Sequence, residues 1–198
     1  MSSELPPPRV GRRPAERADA ARNRARLLAA AAEVFGSKNP RSVTMDDIAR
    51  AAGVGRATLY RRYPDVASVA VALLDEHERE LQEQLLRGDP PLGPGAPPAE
   101  RLAAFYAAMV EHLERNLSLV LGADAGAARF TVGSYAFWRA HVRSLLLEAA
   151  VPDADALVDL LLAPLAAEVF RYQRESGRST AEIAAALALL ARRVLAPA

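Results

Sequence analysis

The segment TMDDIARAAGVGRATLYRRY, which begins at Thr44, joins two short helical patterns through a Gly-Val-Gly break. The Thr44 hydroxyl can cap the first helix, and Asp46 and Asp47 suit the positive end of its dipole. Gly53 can adopt the positive φ angle that a tight turn requires. A helix that ends at a turn of this kind and is followed at once by a second helix predicts a helix-turn-helix.

The apolar residues of this segment are spaced to form one small core with the helix that precedes it. Ile48, Val54 and Leu59 return to that core, and Ala49 is small enough for two helices to cross closely. The third helix, which begins after Gly55, then leaves hydrogen-bond donors, a methyl group and cations exposed, and such a surface suits DNA. These exposed residues are Arg56, Ala57, Thr58, Tyr60, Arg61 and Arg62. An ordinary helical hairpin with a glycine turn is the structural alternative.

The rest of the chain predicts an all-α fold. Apolar residues make up 51% of the sequence, and alanine and leucine dominate over β-branched and aromatic residues, which favours helices. The proline- and glycine-rich segment that begins at Arg87 predicts a flexible or extended loop. Besides the two short helices of the segment above, we place helices near residues 18–35, 66–86, 99–121, 127–150, 153–176 and 180–195. Pro164 predicts a kink in the helix that contains it.

Composition excludes several classes of protein. The absence of cysteine excludes disulfides, thiolate zinc sites and cysteine nucleophiles. The sequence has no GxSxG, no glycine-rich phosphate loop and no HExxH, so we predict neither an enzyme nor a bound cofactor or metal. It shows no secretory signal and no apolar run of about 20 residues, and we therefore expect a cytoplasmic protein without a membrane partner.

Charge is divided unequally along the chain. Residues 1–64 contain 13 lysines and arginines against 6 acidic residues, a net charge of +7, and the remaining residues contain 12 against 18, a net charge of −6. The proline-rich arm of residues 1–17 carries Arg9, Arg12 and Arg13, which can follow phosphates or enter a narrow minor groove. The alternative is a disordered tail without a partner. The basic half predicts a polyanionic partner.

The stretch RARLLAAAAEVF followed by VTMDDIARAAGVGRATLYRRYPD resembles the N-terminal domain of TetR-type regulators, over about Arg24 to Leu74. The resemblance implies a homodimer that places its paired third helices in successive major grooves of a near-palindromic operator, about 34 Å apart. It also implies repression that a small molecule relieves. By the same resemblance Thr44 and Tyr60 contact phosphates, whereas Arg56, Ala57 and Thr58 face base edges.

The chain departs from the family pattern at two positions. Gly55 stands where a serine is common, which removes a side-chain cap from the third helix. Val66 stands where a lysine is common, which removes one phosphate contact. Arg61 stands where the family often has histidine or another residue that contacts phosphate.

The resemblance also implies that the C-terminal helices form the dimer and enclose an effector pocket. An aromatic and histidine cluster predicts the pocket lining: Phe105, Tyr106, Met109, His112, Phe130, Tyr135, Phe137, Trp138 and His141. Apolar residues of the helices at 153–176 and 180–195 predict a four-helix dimer interface: Leu157, Leu160, Leu161, Leu165, Val169, Ile183, Leu187, Leu190 and Val194. A packed monomer core is the alternative in both cases.

The sequence thus predicts a flexible basic arm at residues 1–17, a DNA-binding domain at 18–64 and a helical ligand-binding and dimerisation domain at 65–198. The expected partners are double-stranded DNA, a second copy of the chain and a small effector. A helical interaction protein whose basic end binds another polyanion, such as RNA or an acidic lipid surface, is the alternative function.

Overall fold

The computed structural model describes residues 14–38, 42–122 and 133–196, and every regular element in these ranges is a helix. The predicted all-α class is confirmed. The helices are α1 Pro14–Ser37, α2 Met45–Ala52, α3 Arg56–Tyr60, α4 Val66–Arg87, α5 Pro98–Gly122, α6 Gly133–Glu148, α7 Ala154–Leu162, α8 Ala167–Glu175 and α9 Thr180–Val194. No helix of the described residues is long and apolar enough to cross a membrane.

The chain divides into two compact units, Met1–Val69 (unit 1) and Ala70–Ala198 (unit 2). In unit 1, α2 packs against α1 and α3. Ile48 of α2 and Leu59 of α3 are fully buried, as their spacing predicts. The face of α1 that is buried follows helical spacing and consists of Leu27, Leu28, Ala30, Ala31, Val34 and Phe35.

In unit 2, α5 packs against α6, α8 and α9. Phe105 and Tyr106 of α5 are fully buried in the core. The Tyr106 hydroxyl donates a hydrogen bond of 2.9 Å to the carbonyl oxygen of Leu161 in α7, so its polar end is satisfied inside the core.

The helix predicted at residues 153–176 is in fact two helices. A single turn of 3₁₀ helix, Ala163–Leu165, follows α7, and Ala166 is extended before α8 begins. Pro164 lacks the amide hydrogen that a continuous helix would use and its ring crowds the preceding turn. The predicted kink is therefore a break. Of the helix predicted at 127–150, only residues 133–150 lie within the described ranges, and α6 occupies Gly133–Glu148 of them.

The loop of residues 88–97 is closed by turns, where the sequence predicted flexibility or extension. The Gly93 amide donates to the carbonyl oxygen of Asp89 at 2.9 Å. A Cβ atom added at Gly93 would lie 1.8 Å from the carbonyl oxygen of Gly88, so only glycine fits where the chain approaches itself.

Candidate nucleic-acid interface and cavity

A capping box begins α2. The Thr44 hydroxyl accepts a hydrogen bond from the Asp47 amide at 3.2 Å, and the Asp47 carboxylate accepts from the Thr44 amide at 3.2 Å. The hydroxyl also donates to the same carboxylate at 2.7 Å. Because a hydroxyl has one proton, Thr44 must release Asp47 before it can donate to a phosphate.

The turn between α2 and α3 depends on Gly53. Its φ is 65° and its ψ is 32°, the left-handed conformation that glycine adopts without steric cost. The Val54 amide then donates to the Ala49 carbonyl oxygen at 3.0 Å. This bond satisfies a carbonyl at the end of α2 and directs the chain into α3.

The short helix α3 has one buried residue, Leu59, and is otherwise exposed. Gly55 is its N-cap residue and makes no side-chain cap. Tyr60 is 51% exposed, and Arg61 donates to the Thr58 hydroxyl at 3.3 Å. The residues that the sequence predicted for DNA contact in and next to this helix are all exposed: Gly55, Arg56, Ala57, Thr58, Tyr60, Arg61 and Arg62.

An ion pair joins the two helices of the motif at this surface. The guanidinium group of Arg56 donates to the carboxylate of Asp46 in α2. From the sequence, Asp46 was expected only to favour the helix dipole, and this pair was not predicted. The available signal was an acidic residue in the first turn of α2 together with a basic residue at the start of α3.

A second ion pair holds the start of α2. The ammonium group of Lys38 lies 2.7 Å from Asp47. This contact and the hydrogen bonds from Thr44 lower the pKa of Asp47 from 3.8 to about 2, because each of them favours the charged carboxylate. Lys38 was not among the predicted residues. Arg9, Arg12 and Arg13 of the predicted arm lie outside the described residues.

Unit 2 contains a cavity of about 130 Å³. Of the nine residues predicted for a ligand pocket, Met109, His112, Tyr135 and Trp138 line it, and Phe130 lies outside the described residues. Phe105, Tyr106 and His141 are buried in the core instead, and Phe137 is half-buried. The other lining residues, which the sequence did not indicate, come from α4 to α8 and from the break between α7 and α8: Glu78, Leu113, Ser134, Leu162, Leu165, Ala166 and Ala167.

Two titratable groups face this cavity. Burial raises the pKa of Glu78 and the nearby Asp75 adds to that shift, whereas a hydrogen bond from the Ser134 hydroxyl opposes it. Burial and, to a smaller extent, the charges of His77 and Arg115 together lower the pKa of His112 to about 4. His112 is therefore neutral at pH 7, and it brings no positive charge to Glu78.

Residues 27–73 match the model of the tetR family of bacterial regulatory proteins. The chain is 43% identical over 65 residues to an HTH-type transcriptional regulator of Mycobacterium tuberculosis that is uncharacterized. It is 31% identical over 94 residues to a second such regulator of that organism. These alignments cover 32% and 48% of this chain, and only 34% and 45% of the two relatives.

Solved structures share the fold over nearly the whole chain. The fatty acid degradation regulator of Bacillus halodurans aligns with a TM-score of 0.65 at 15% identity, covering 85% of this chain and 94% of that one. A regulator of the TetR/AcrR family from Thermobifida fusca aligns with a TM-score of 0.65 at 20% identity, covering 85% of this chain and 95% of that one. At such identities the likeness concerns the fold alone. The proteins in both comparisons are described as regulators.

Proposed function

Because this chain is a member of the TetR family of bacterial regulatory proteins through residues 27–73, we propose that it is a transcriptional regulator that binds double-stranded DNA. The observation that carries the proposal is α3, a helix that buries Leu59 and presents its other side chains to solvent. A helix held by one buried leucine and a capped neighbour can enter a major groove without unfolding its core.

The exposed side chains of α3 divide by chemistry into two groups. Arg56 can donate two hydrogen bonds to guanine, Thr58 can bond either kind of base, and the Ala57 methyl can contact thymine. Tyr60, Arg61 and Arg62 can donate to phosphates, as Thr44 can after it releases Asp47. Gly55 lets the backbone at the start of α3 approach the DNA closely. Arg9, Arg12 and Arg13 would add contacts from the arm.

The ion pair with Asp46 supports a base-contacting role for Arg56. In the free protein the pair holds the guanidinium group at the first turn of α3. Both partners are partly or largely exposed, so the pair itself contributes little to stability. A guanine that offers two acceptors can replace the carboxylate, whereas a base with a donor in that place leaves Arg56 on Asp46. Breaking the pair therefore costs part of the binding energy that a guanine contact supplies, and Arg56 keeps a partner where no guanine is present.

We propose that the regulator acts as a homodimer that forms through α7, α8 and α9. Four large apolar side chains on these helices are exposed in the single chain, a set typical of a protein interface: Leu160, Val169, Tyr172 and Leu189. Of the residues predicted for the interface, Leu161, Ile183 and Leu187 belong to the core of unit 2, and they would support the interface from within.

Sedimentation of matched variants tests the dimer. Tyr172→Glu in α8 and Leu189→Glu in α9 should sediment as monomers at micromolar concentration, because each puts a charge into the proposed contact. Leu147→Glu is the control, since Leu147 is also about half exposed but lies in α6. Dimers of both test variants, or a monomeric wild type, would reject this interface.

We further propose that a small effector occupies the cavity of unit 2 and releases the DNA, so that the regulator represses its target. Buried and half-buried residues from α4 through α8 line the cavity, which is partly open to solvent, and a concave site with mostly apolar walls can take a small organic ligand.

Footprinting on duplex DNA selected from a random pool tests the function. We expect protection of a near-palindromic site whose halves lie about one helical turn apart, and an affinity that falls steeply with salt. Competition with RNA and with acidic lipid vesicles belongs to the same experiment. Equal affinity for random duplex, RNA and vesicles without a protected site would favour the alternative, a helical interaction protein with a polyanion-binding end.

A further inference from the structure

The cavity of unit 2 is small and mostly apolar. Its volume of about 130 Å³ is close to that of a cavity of about 150 Å³ that binds benzene in another protein. Met109, Leu113, Leu162 and Leu165 supply aliphatic walls, and Trp138 and Tyr135 supply aromatic ones. The cavity thus fits one ring or a short branched chain.

Glu78 is the one acidic residue that lines the cavity within the described part of the chain, and no lysine or arginine lines it there. The carboxylate is half-buried and accepts a hydrogen bond from the Ser134 hydroxyl. The ion pairs among the described residues leave Glu78 without a cation. A buried carboxylate with one neutral donor is destabilised in its charged form, and burial accordingly raises the pKa of Glu78.

His112 does not supply the missing charge, because burial lowers its pKa to about 4, and its hydrogen-bond network fits the neutral ring. Nδ1 of His77 lies 3.0 Å from Oδ1 of Asn116, and Nδ2 of Asn116 donates to the His112 carbonyl oxygen at 2.9 Å. The same Nδ2 lies 3.4 Å from Nδ1 of His112, and that ring nitrogen must be the acceptor since an amide nitrogen only donates. The cavity therefore presents one acid and no cation.

We propose that the occupant of this cavity is a small organic cation with an apolar body, of the size of an arylalkyl ammonium ion, whose charged end pairs with Glu78. Trp138 and Tyr135 line the same cavity, and a ring face that meets the charged end would add a cation–π attraction. An anion of equal size meets the carboxylate and is excluded. Only the role of this occupant as the effector rests on the proposed function; the cation site itself does not.

Intrinsic fluorescence gives a direct test, because Trp138 is the single tryptophan of the chain and lines the cavity. The full chain without DNA is titrated at pH 7 with benzylamine, which is protonated, with benzyl alcohol, which is neutral, and with benzoate, which is anionic. Benzylamine should bind about 10- to 100-fold more tightly than benzyl alcohol, since a charge-assisted hydrogen bond replaces a neutral one. Benzoate should be the weakest of the three.

Two variants identify the residue responsible. Glu78→Gln should bring the affinities for benzylamine and benzyl alcohol to within about twofold of each other, because the amide keeps the shape of the side chain and removes its charge. Glu83→Gln, on the same helix and paired with Arg87 on the surface, should leave the preference unchanged. An unchanged preference in Glu78→Gln, or equal affinities in the wild type, overturns the proposal. If Glu78→Gln does not fold, the order of the three affinities in the wild type still tests the proposal.

Operator binding is measured separately, so that the two proposals fail separately. Release of a footprinted duplex by benzylamine in the wild type, and its loss in Glu78→Gln, supports the role of effector. A chain that binds benzylamine with this preference but protects no duplex would reject the proposed function and leave the cation site standing.

Discussion

The two units of this protein present opposite kinds of surface. In unit 1 the residues proposed to contact DNA are exposed cations and small groups in and next to α3, whereas in unit 2 the residues proposed to hold an effector line a cavity that includes the half-buried Glu78. The first surface is positioned by three residues of one stretch of sequence: the helix cap Thr44, the turn residue Gly53 and the buried Leu59. The second joins residues from Glu78 to Ala167. The comparison teaches that a recognition surface on one short motif is specified locally, whereas a cavity depends on the packing of several helices.

The largest effect is expected from removing the leucine that holds α3. Leu59→Ala should cost about 2–5 kcal/mol of unfolding free energy in unit 1, since Leu59 is fully buried and the change leaves a cavity. Hydrogen exchange resolved by peptide should show faster exchange in α2, whereas α5 keeps its protection. A loss of unfolding free energy below about 1 kcal/mol, or an equal loss of protection in α5, would contradict the claim that α3 is held by packing within unit 1.

A smaller effect is expected inside unit 2 from the buried hydroxyl of Tyr106. Tyr106→Phe should lower the unfolding free energy by about 1 kcal/mol, because the carbonyl oxygen of Leu161 loses a buried donor. Chemical denaturation measures the change. Tyr172→Phe is the matched control, because Tyr172 is 70% exposed; equal losses in the two variants would contradict the assignment.

The turn of unit 1 should respond to a single methyl group. Gly53→Ala should cost about 1 kcal/mol, because alanine is strained at a φ of 65° while the added Cβ meets nothing within 4 Å. Gly55→Ser is the control at the other glycine of the turn, and it should cost nothing or stabilise slightly by capping α3. Thermal unfolding that ranks the two variants in the reverse order would refute this account of the turn.

The smallest effect concerns the acid at the start of α2. The pKa of Asp47 is lowered to about 2, so the carboxylate stabilises the folded state above pH 4 and this stabilisation is lost as the pH falls from about 4 to about 2. An NMR titration should place the midpoint for Asp47 near 2. Lys38→Gln should raise that midpoint, since it removes the largest cause; a midpoint that does not move would remove Lys38 from this role.

The difference between the units also explains what the sequence could predict. Thr44, Gly53 and Leu59 act through neighbours a few residues away, so the motif and its exposed residues followed from local spacing. The resemblance to TetR-type regulators came from the residues around this motif, and residues 27–73 match the model of that family. Glu78 sits in a helical pattern like any surface acid, and only packing places it beside Trp138 of α6. The break at Pro164 was underestimated as a kink, because a proline alone does not reveal that Ala166 becomes extended.

The account depends most on the exposed face of α3, and the sequence profile of bound DNA measures it directly. Wild type, Arg56→Ala and Tyr60→Phe would each be used to select duplexes from one random pool at one salt concentration. We expect Arg56→Ala to lose preference at particular base pairs, by about 1–3 kcal/mol each, and Tyr60→Phe to bind all sequences more weakly with the same profile. Identical profiles for wild type and Arg56→Ala would contradict the account.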